Sequence, residues 1–532
     1  PETQRQPQQA SKPLNLPTVQ RFFVREGKLE ARDDLRKLKF QGDLDARERA
    51  ESDDAKAFHL KGEGELNEKP FSLDVHGGPL INLDPDKPYD FDGSVRASTL
   101  NLDAQGKIRK PFDLATLTVS VDFSGHDLAD FYYLTGLALP NTKPFKLSAT
   151  VDRTERALKI TKVAGQVGGS DVAGELTVET DRARPKLTGA LQSKQLDIAD
   201  LGATLGTQVP GSPSLLLPDA HLQVNRVRNM DADVHYKAAA INAGKVPMRE
   251  VAVHVVLDNG VMKFDPLTLT LPQGKLDANV RIDATQDVPK ANADIRMTDV
   301  HLEQFRSSKT DGPAPVEGTL QARAHVSGSG DSVHEVASNA NGTVTVVVPK
   351  GNMRAAFAEL TGINVAKGLG LLITKDRESA NVRCGIAAFT VENGDMKAQN
   401  IVFDTEHVLI TGGGDIKLKS EQLDLSLQGH PKEIRFFRVR TPIVIGGHLS
   451  KPSIGIKAGK LAGQAGVAAA LGAIVAPLAA VVAFVDPGLS KDANCAALFA
   501  EAKDKGTPQT GENKAGEGET LSEPGKHPPK MR

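Results

Sequence analysis

The 532-residue chain has no tryptophan, four tyrosines and an aromatic content of only 4%. That leaves little of the bulk that fills a thick globular core. Hydrophobic residues of every kind make up 39%, below the usual globular share. No charge of one sign dominates, since 65 Lys and Arg face 67 Asp and Glu. This near-balance excludes the basic field that holds nucleic acid, so no nucleic-acid partner is expected. Only two cysteines occur, Cys384 and Cys495. Two buried thiols and one disulfide both fit that number.

Catalytic signatures are missing as well. There is no G-x-x-x-x-G-K-[ST], no G-x-S-x-G and no H-E-x-x-H. The 13 histidines lack metal-ligand spacing along the chain, so no metal site and no cofactor are expected. Gly328-Ser-Gly330 is a fragment of a nucleotide fingerprint without a βαβ context and reads as a loop. Asp33-Asp34 and Asp53-Asp54 sit in charged runs and read as solvated surface. Lys432 to Arg440 mixes basic and aromatic residues; an amphipathic strand explains it better than an anionic headgroup or nucleic-acid contact. No signal peptide is visible and Pro1 comes first, so the chain is expected to begin inside a longer gene product.

What the sequence does have is period-2 alternation. Thr118-Val-Ser-Val-Asp-Phe123, Val251-Ala-Val-His-Val255, Leu267-Thr-Leu-Thr-Leu271, Thr343-Val-Thr-Val346 and Leu423-Asp-Leu-Ser-Leu427 each carry one apolar and one polar face. Such strands build antiparallel sheets with one wet side. Asp258-Asn-Gly260 and Glu392-Asn-Gly394 are hairpin turns between them. The fold class is therefore mainly β: a long curved, twisted antiparallel sheet forming a groove, with a few short helices. Roughly 25 strands at about 4.8 Å each would make a sheet about 120 Å long, and sheets of that length curl.

Pieces of the chain repeat. Gly260-Val-Met-Lys-Phe-Asp-Pro-Leu267 reads like Gly394-Asp-Met-Lys-Ala-Gln-Asn-Ile401 and shares its register with Arg156-Ala-Leu-Lys-Ile-Thr-Lys-Val163. Asp127-Leu-Ala-Asp-Phe131 is echoed by Asp197-Ile-Ala-Asp-Leu201 and more weakly by His301-Leu-Glu-Gln-Phe305. An Asp before apolar residues three apart predicts a capped single turn of helix behind a strand.

Helical spacing occurs in two longer places. Met353, Phe357 and Leu360 form one. The other is 461–485, which has no charged residue and a stripe of Leu471, Ile474, Val475, Leu478, Val481, Val482 and Val485. That stretch is long enough to span a membrane. Pro477, the many Ala and Gly, and the one-sided stripe favour helices packed on the sheet end instead. The domains expected are an irregular lead-in at 1–17, a β body at 18–460, an Ala-rich helical cap at 461–500 and a disordered tail at 501–532.

Gly125-His-Asp-Leu-Ala-Asp-Phe131 leads into Leu134-Thr-Gly-Leu-Ala-Leu-Pro140 and Phe145-Lys-Leu-Ser-Ala149. Gly165-Gln-Val-Gly-Gly-Ser-Asp-Val-Ala-Gly174 precedes Arg184-Pro-Lys-Leu-Thr-Gly189 and Leu196-Asp-Ile-Ala-Asp-Leu201. Phe403-Asp-Thr-Glu406, Arg440-Thr-Pro-Ile443, Lys451-Pro452, Asp486-Pro-Gly488 and Asn494-Cys495 follow in order. Together these passages resemble the AsmA family of Gram-negative envelope proteins. The resemblance implies a periplasmic β-rich body, held to the inner membrane by an N-terminal helix that this sequence lacks. It implies kinship with bridge-like lipid transfer proteins and a role in outer-membrane biogenesis and phospholipid traffic. It also implies an oxidising compartment, in which a Cys384–Cys495 disulfide is expected.

The expected function is non-enzymatic: holding or conducting phospholipid or another envelope lipid between membranes. A scaffold that influences outer-membrane protein assembly, binding polypeptide at strand edges, is the alternative, with outer-membrane assembly proteins as partners. On the lipid reading, Leu267, Leu269, Leu271, Val119, Val121, Leu423, Leu425 and Leu427 face acyl chains. A continuous open apolar face favours lipid; a face plugged by helices favours the scaffold.

Overall fold

The computed structural model describes residues 21–33, 37–49, 57–79, 88–108, 117–201, 216–217, 219, 221, 224–243, 246–305, 316–354, 379–432, 442–456 and 493–499. It is mainly β. Twenty-five strands join in one curved sheet, from Arg21–Asp33 at one edge to Lys451–Ile456 at the other. Almost every ladder joins strands that follow one another in the chain. Two of the connecting turns are the expected Asn-Gly hairpins. Asn259 and Gly260 have φ of 51° and 75°, and Asn393 and Gly394 have 49° and 79°. Both central residues are thus left-handed, as the two-residue turn that matches strand twist requires.

One ladder of the large sheet is parallel, Lys186–Ser193 beside Asp231–Ala238. Parallel neighbours cannot be joined by a tight hairpin, so the chain between them must cross over. That crossover carries the short strand Leu196–Asp197 and the helix Val224–Arg228. Leu196–Asp197 pairs with Ile241–Ala243, which pairs with Val246–Met248, giving a separate three-stranded sheet.

Alternation resolves the large sheet into an apolar and a polar face. Direct partners can be followed strand by strand: Leu29, Gly42, Gly62, Leu73, Val95, Leu102, Phe123, Leu147, Gly165, Val172. Beyond the crossover the same face reads Val251, Leu269, Leu276, Met297, Ala322, Val346, Ala387, Ile401, Gly412, Leu427, Ile443. No polar residue interrupts either row. The opposite face of the same strands carries Lys61, Asp74, Ser94, Asp103, Asp122 and Ser148.

The repeats recognised in the sequence have structural counterparts. The strands reading alike from Arg156, Gly260 and Gly394 each shift register at a matching place: at Lys162 (φ 52°), at Asp265-Pro266, and between Lys397 and Ile401. Such bulges bend a strand and add twist, which curves the sheet. The three Asp-type repeats all become single 3-10 turns behind a strand, at Leu128–Phe131, Ile198–Leu201 and Leu302–Phe305. Asp127 accepts from the Ala129 N–H at 2.9 Å, and Asp197 from the Ala199 N–H at 2.8 Å. The second acid of the first two motifs holds an earlier hairpin turn. Asp130 accepts from the Thr99 hydroxyl at 2.5 Å; Asp200 accepts from the Gly169 N–H at 2.8 Å and the Ser170 hydroxyl at 2.7 Å.

Two local expectations need correction. Met353 lies on the strand Gly351–Arg354 and not on a helix; Phe357 and Leu360 fall outside the described residues. Gly328 and Ser329 end the strand Val316–Ser329 instead of lying in a loop, because their backbone still pairs with Ala291 and Lys290. Residues 433–440 and 461–492, with the proposed cap stripe, lie outside the described residues, as do 1–20 and 500–532. Among the described residues, no helix is long and apolar enough to cross a membrane.

Candidate functional site

The apolar face runs through both rows of strand pairs. Val119 and Val121 are each only 8% exposed, yet among the described residues the apolar side chains packed with them all come from strands of the same sheet. Phe91, Ala104, Val151, Ile160 and Val172 are among those neighbours. A valine on a flat uncovered sheet would stay wet. Burial by same-face neighbours means that this face is concave, a groove with its own walls as cover.

Parts of the groove are lined further by connecting segments. The loop after Leu117–Gly125 brings Leu128 and Phe131 against Phe123, Phe145 and Leu147, with ring centroids of Phe123 and Phe131 5.5 Å apart. Its continuation places Leu137 on Val178, Leu187, Val227 and Met230. Arg226 from the crossover helix stacks over the Tyr132 ring at 4.7 Å, fastening one segment to the other. Asp200 anchors the crossover at this rim, 3.1 Å from Lys143. Burial pushes the Asp200 carboxyl up, but the Ser170 hydroxyl, Lys143 and the Gly169 N–H outweigh it. The net pKa is held below the ordinary carboxylate value.

The residues singled out as lipid-facing fall on one face. Val119 and Val121 lie in the walled stretch. Leu267 and Leu269 lie where the three-stranded sheet comes close: they pack with Leu196, Ala238, Ile241 and Val251. Leu271 is 7% exposed just beyond the strand end. Leu423, Leu425 and Leu427 are half-buried and directly face Ile416, Gly414 and Gly412, with no covering element among the described residues. Among those residues, no helix longer than the six-residue Val333–Ser338 is present to cover the groove.

Cys384 and Cys495 are joined by a disulfide, with Cα atoms 5.9 Å apart. The bond ties residues 493–499 to the strand Ser379–Glu392. A fully buried carboxylate, Asp404, assists. It pairs with Lys432 Nζ at 2.5 Å and accepts from the Ala493 N–H at 3.1 Å.

Sequence reasoning missed two constructions. The buried Glu421, at the turn before Gln422–Pro431, accepts from the Leu216 and Leu217 N–H groups, both at 2.7 Å. Their separation of more than 200 positions left no signal in the sequence. The second construction is on the polar face. The sequence showed no metal-ligand spacing, yet His59, Asp74 and His76 converge, and so do Asp233, His235 and His254.

A model of the AsmA family matches residues 8–401. The chain is also 29% identical over 471 residues to AsmA family protein YhjG of Escherichia coli (strain K12), an alignment covering 84% of this chain and 68% of that protein.

Proposed function

The chain belongs to the AsmA family, and from that premise we propose that its sheet is a lipid-holding groove of the cell envelope. On this reading it stands in the periplasm, tethered to the inner membrane, and shelters acyl chains between membranes in support of outer-membrane biogenesis. The observation that carries the proposal is the apolar face, followed through direct strand pairs in two rows, one on either side of the crossover. A chain of about 15 methylenes would cost roughly 12 kcal/mol to draw bare through water, at about 0.8 kcal/mol each. A concave apolar surface removes most of that cost and needs no catalytic group. Recognition then rests on shape and area, which suits a carrier of lipid tails more than an enzyme.

The test is photo-crosslinking in cells with a photoreactive residue placed at one position at a time. Positions 425 and 427 should yield lipid adducts by mass spectrometry, while 424 and 426 on the polar face should not. Equal lipid labelling of both faces, or polypeptide adducts at 425 in place of lipid, would overturn the proposal. The latter outcome would favour the scaffold for outer-membrane protein assembly.

A further inference from the structure

We propose that the polar face carries two matched transition-metal sites, each made of an Asp-Val-His strand segment and a histidine on the neighbouring strand. Asp74-Val-His76 lies on Lys69–Gly77, and His59 sits directly opposite His76 on Phe58–Leu66. Asp233-Val-His235 lies on Asp231–Ala238, and His254 sits directly opposite His235 on Glu250–Asp258. Residues two apart share a face, and opposed residues are the closest cross-strand pair. Each D-x-H therefore delivers a carboxylate and two imidazoles to one spot.

The geometry repeats along with the residues. The paired rings are stacked, with centroids 4.3 Å apart for His59 and His76 and 4.0 Å for His235 and His254; both pairs are 11° from parallel. Asp74 Oδ1 lies 2.9 Å from His59 Nε2 and 3.2 Å from His76 Nε2. Asp233 Oδ1 lies 2.8 Å from His254 Nε2. In each group all three ligand atoms fall within 4.8 Å of one another. Ligands held at about 2.0–2.1 Å in a tetrahedron stand about 3.3 Å apart, so small side-chain rotations close either set around an ion. Two imidazoles and one carboxylate suit zinc, copper or nickel and not the all-oxygen shells of calcium or magnesium. The remaining positions open to solvent.

Two surrounding features point to positive charge. His254 Nδ1 is 3.2 Å from the Asp265 carbonyl oxygen. If Nδ1–H donates there, the bare Nε2 lone pair of a neutral ring would face the Asp233 carboxylate. A metal ion held by Nε2 and the carboxylate would satisfy both. An outer partner of this kind is what orients metal-bound histidines. At the first group, Asp74 and His76 line one side of a shallow hollow of about 430 Å³ that also contains Asp92, Asp103 and Asp122. Its acidic walls raise the local concentration of any divalent cation.

The experiment is a zinc titration of the full chain, without an affinity tag, followed by calorimetry and by metal analysis after gel filtration. Two equivalents should bind. H59Q should remove one, H254Q the other, and H59Q/H254Q both, with the zinc-dependent rise in Tm disappearing in step. D74N and D233N should weaken the same sites and give a second set of variants should a histidine change disturb folding. Absence of saturable uptake by the unaltered chain would overturn the proposal. Uptake unchanged in the double variant would overturn it equally.

Discussion

Replacing Leu425 by Glu and, separately, Leu269 by Glu tests how open the groove is along its length. Both leucines are half-buried on the same face, but Leu425 meets Gly414 and Ile445 as its direct partners while Leu269 packs under the three-stranded sheet. Full burial of a leucine is worth about 1.5–3 kcal/mol, so a half-buried one contributes about 1 kcal/mol. At position 425 the new carboxylate can keep its water, and the cost should stay near about 1–1.5 kcal/mol. At position 269 the carboxylate is driven against Leu196, Ala238 and Ile241. The lost burial plus an unpaired charge should then cost about 3–5 kcal/mol. Hydrogen exchange reads the difference locally. Amides of Gln422–Pro431 should lose about tenfold in protection in L425E, and those of Val261–Thr270 more than a hundredfold in L269E. L425E should also co-purify with less lipid, whereas S426E on the polar face should not. Equal loss of protection in the two leucine variants would refute the distinction between open and covered stretches. Undiminished lipid in a well-folded L425E would refute the role of this face.

Three further outcomes are expected. C384S should release residues 493–499 to proteolysis. Because the bridge spans 111 positions, its loss should cost at most about 5 kcal/mol by chain entropy, and a urea midpoint equal to that of the unaltered protein would count against the link. The Asp200 carboxyl is held below its ordinary value of 3.8, so its contribution is present above that pH and lost as pH falls through the lowered value. The urea midpoint should therefore drop in acid, and D200N should flatten the drop; an unchanged slope would remove Asp200 from the account. E421A should remove the acceptor of two part-buried N–H groups, at about 1–2 kcal/mol, and expose the crossover near Leu216 to protease while the strand ladders persist; unchanged cleavage kinetics would show that the clamp is idle.

The strands and their apolar side were legible because alternation is a local property. Leu267, Leu269, Leu423, Leu425 and Leu427 announce their face without help from the rest of the chain, and so do the Asn-Gly turns. The 3-10 turns were legible for the same reason, since Asp127 and Asp197 cap the residues that follow them. The parallel ladder was not legible, because nothing in Lys186–Ser193 states that its next partner begins at Asp231. The cover over Leu267 and Leu269 comes from strands of two or three residues, too short to show a period. The bulge at Lys162 hid because positive φ was adopted by a lysine and not a glycine. His59 and His76 escaped notice for a different reason. Ligand spacing on helices and in loops follows fixed short intervals, whereas here the interval is set by hairpin register.

The neighbour-to-neighbour order of the ladders has a kinetic meaning. Each new hairpin finds its partner among residues already made, so the sheet can grow in the direction of synthesis, one strand at a time, with short loops to close. A partly made chain is then a shorter version of the finished sheet and exposes a single growing edge. Two events stand out against that order. The strand Lys186–Ser193 must wait at the open edge until Asp231–Ala238 arrives after the crossover, and that pause is where a foreign strand could most easily intrude. The other is the last covalent act, since Cys384 is in place long before Cys495 emerges. Oxidation with a wrong partner during that interval would leave the final segment unanchored.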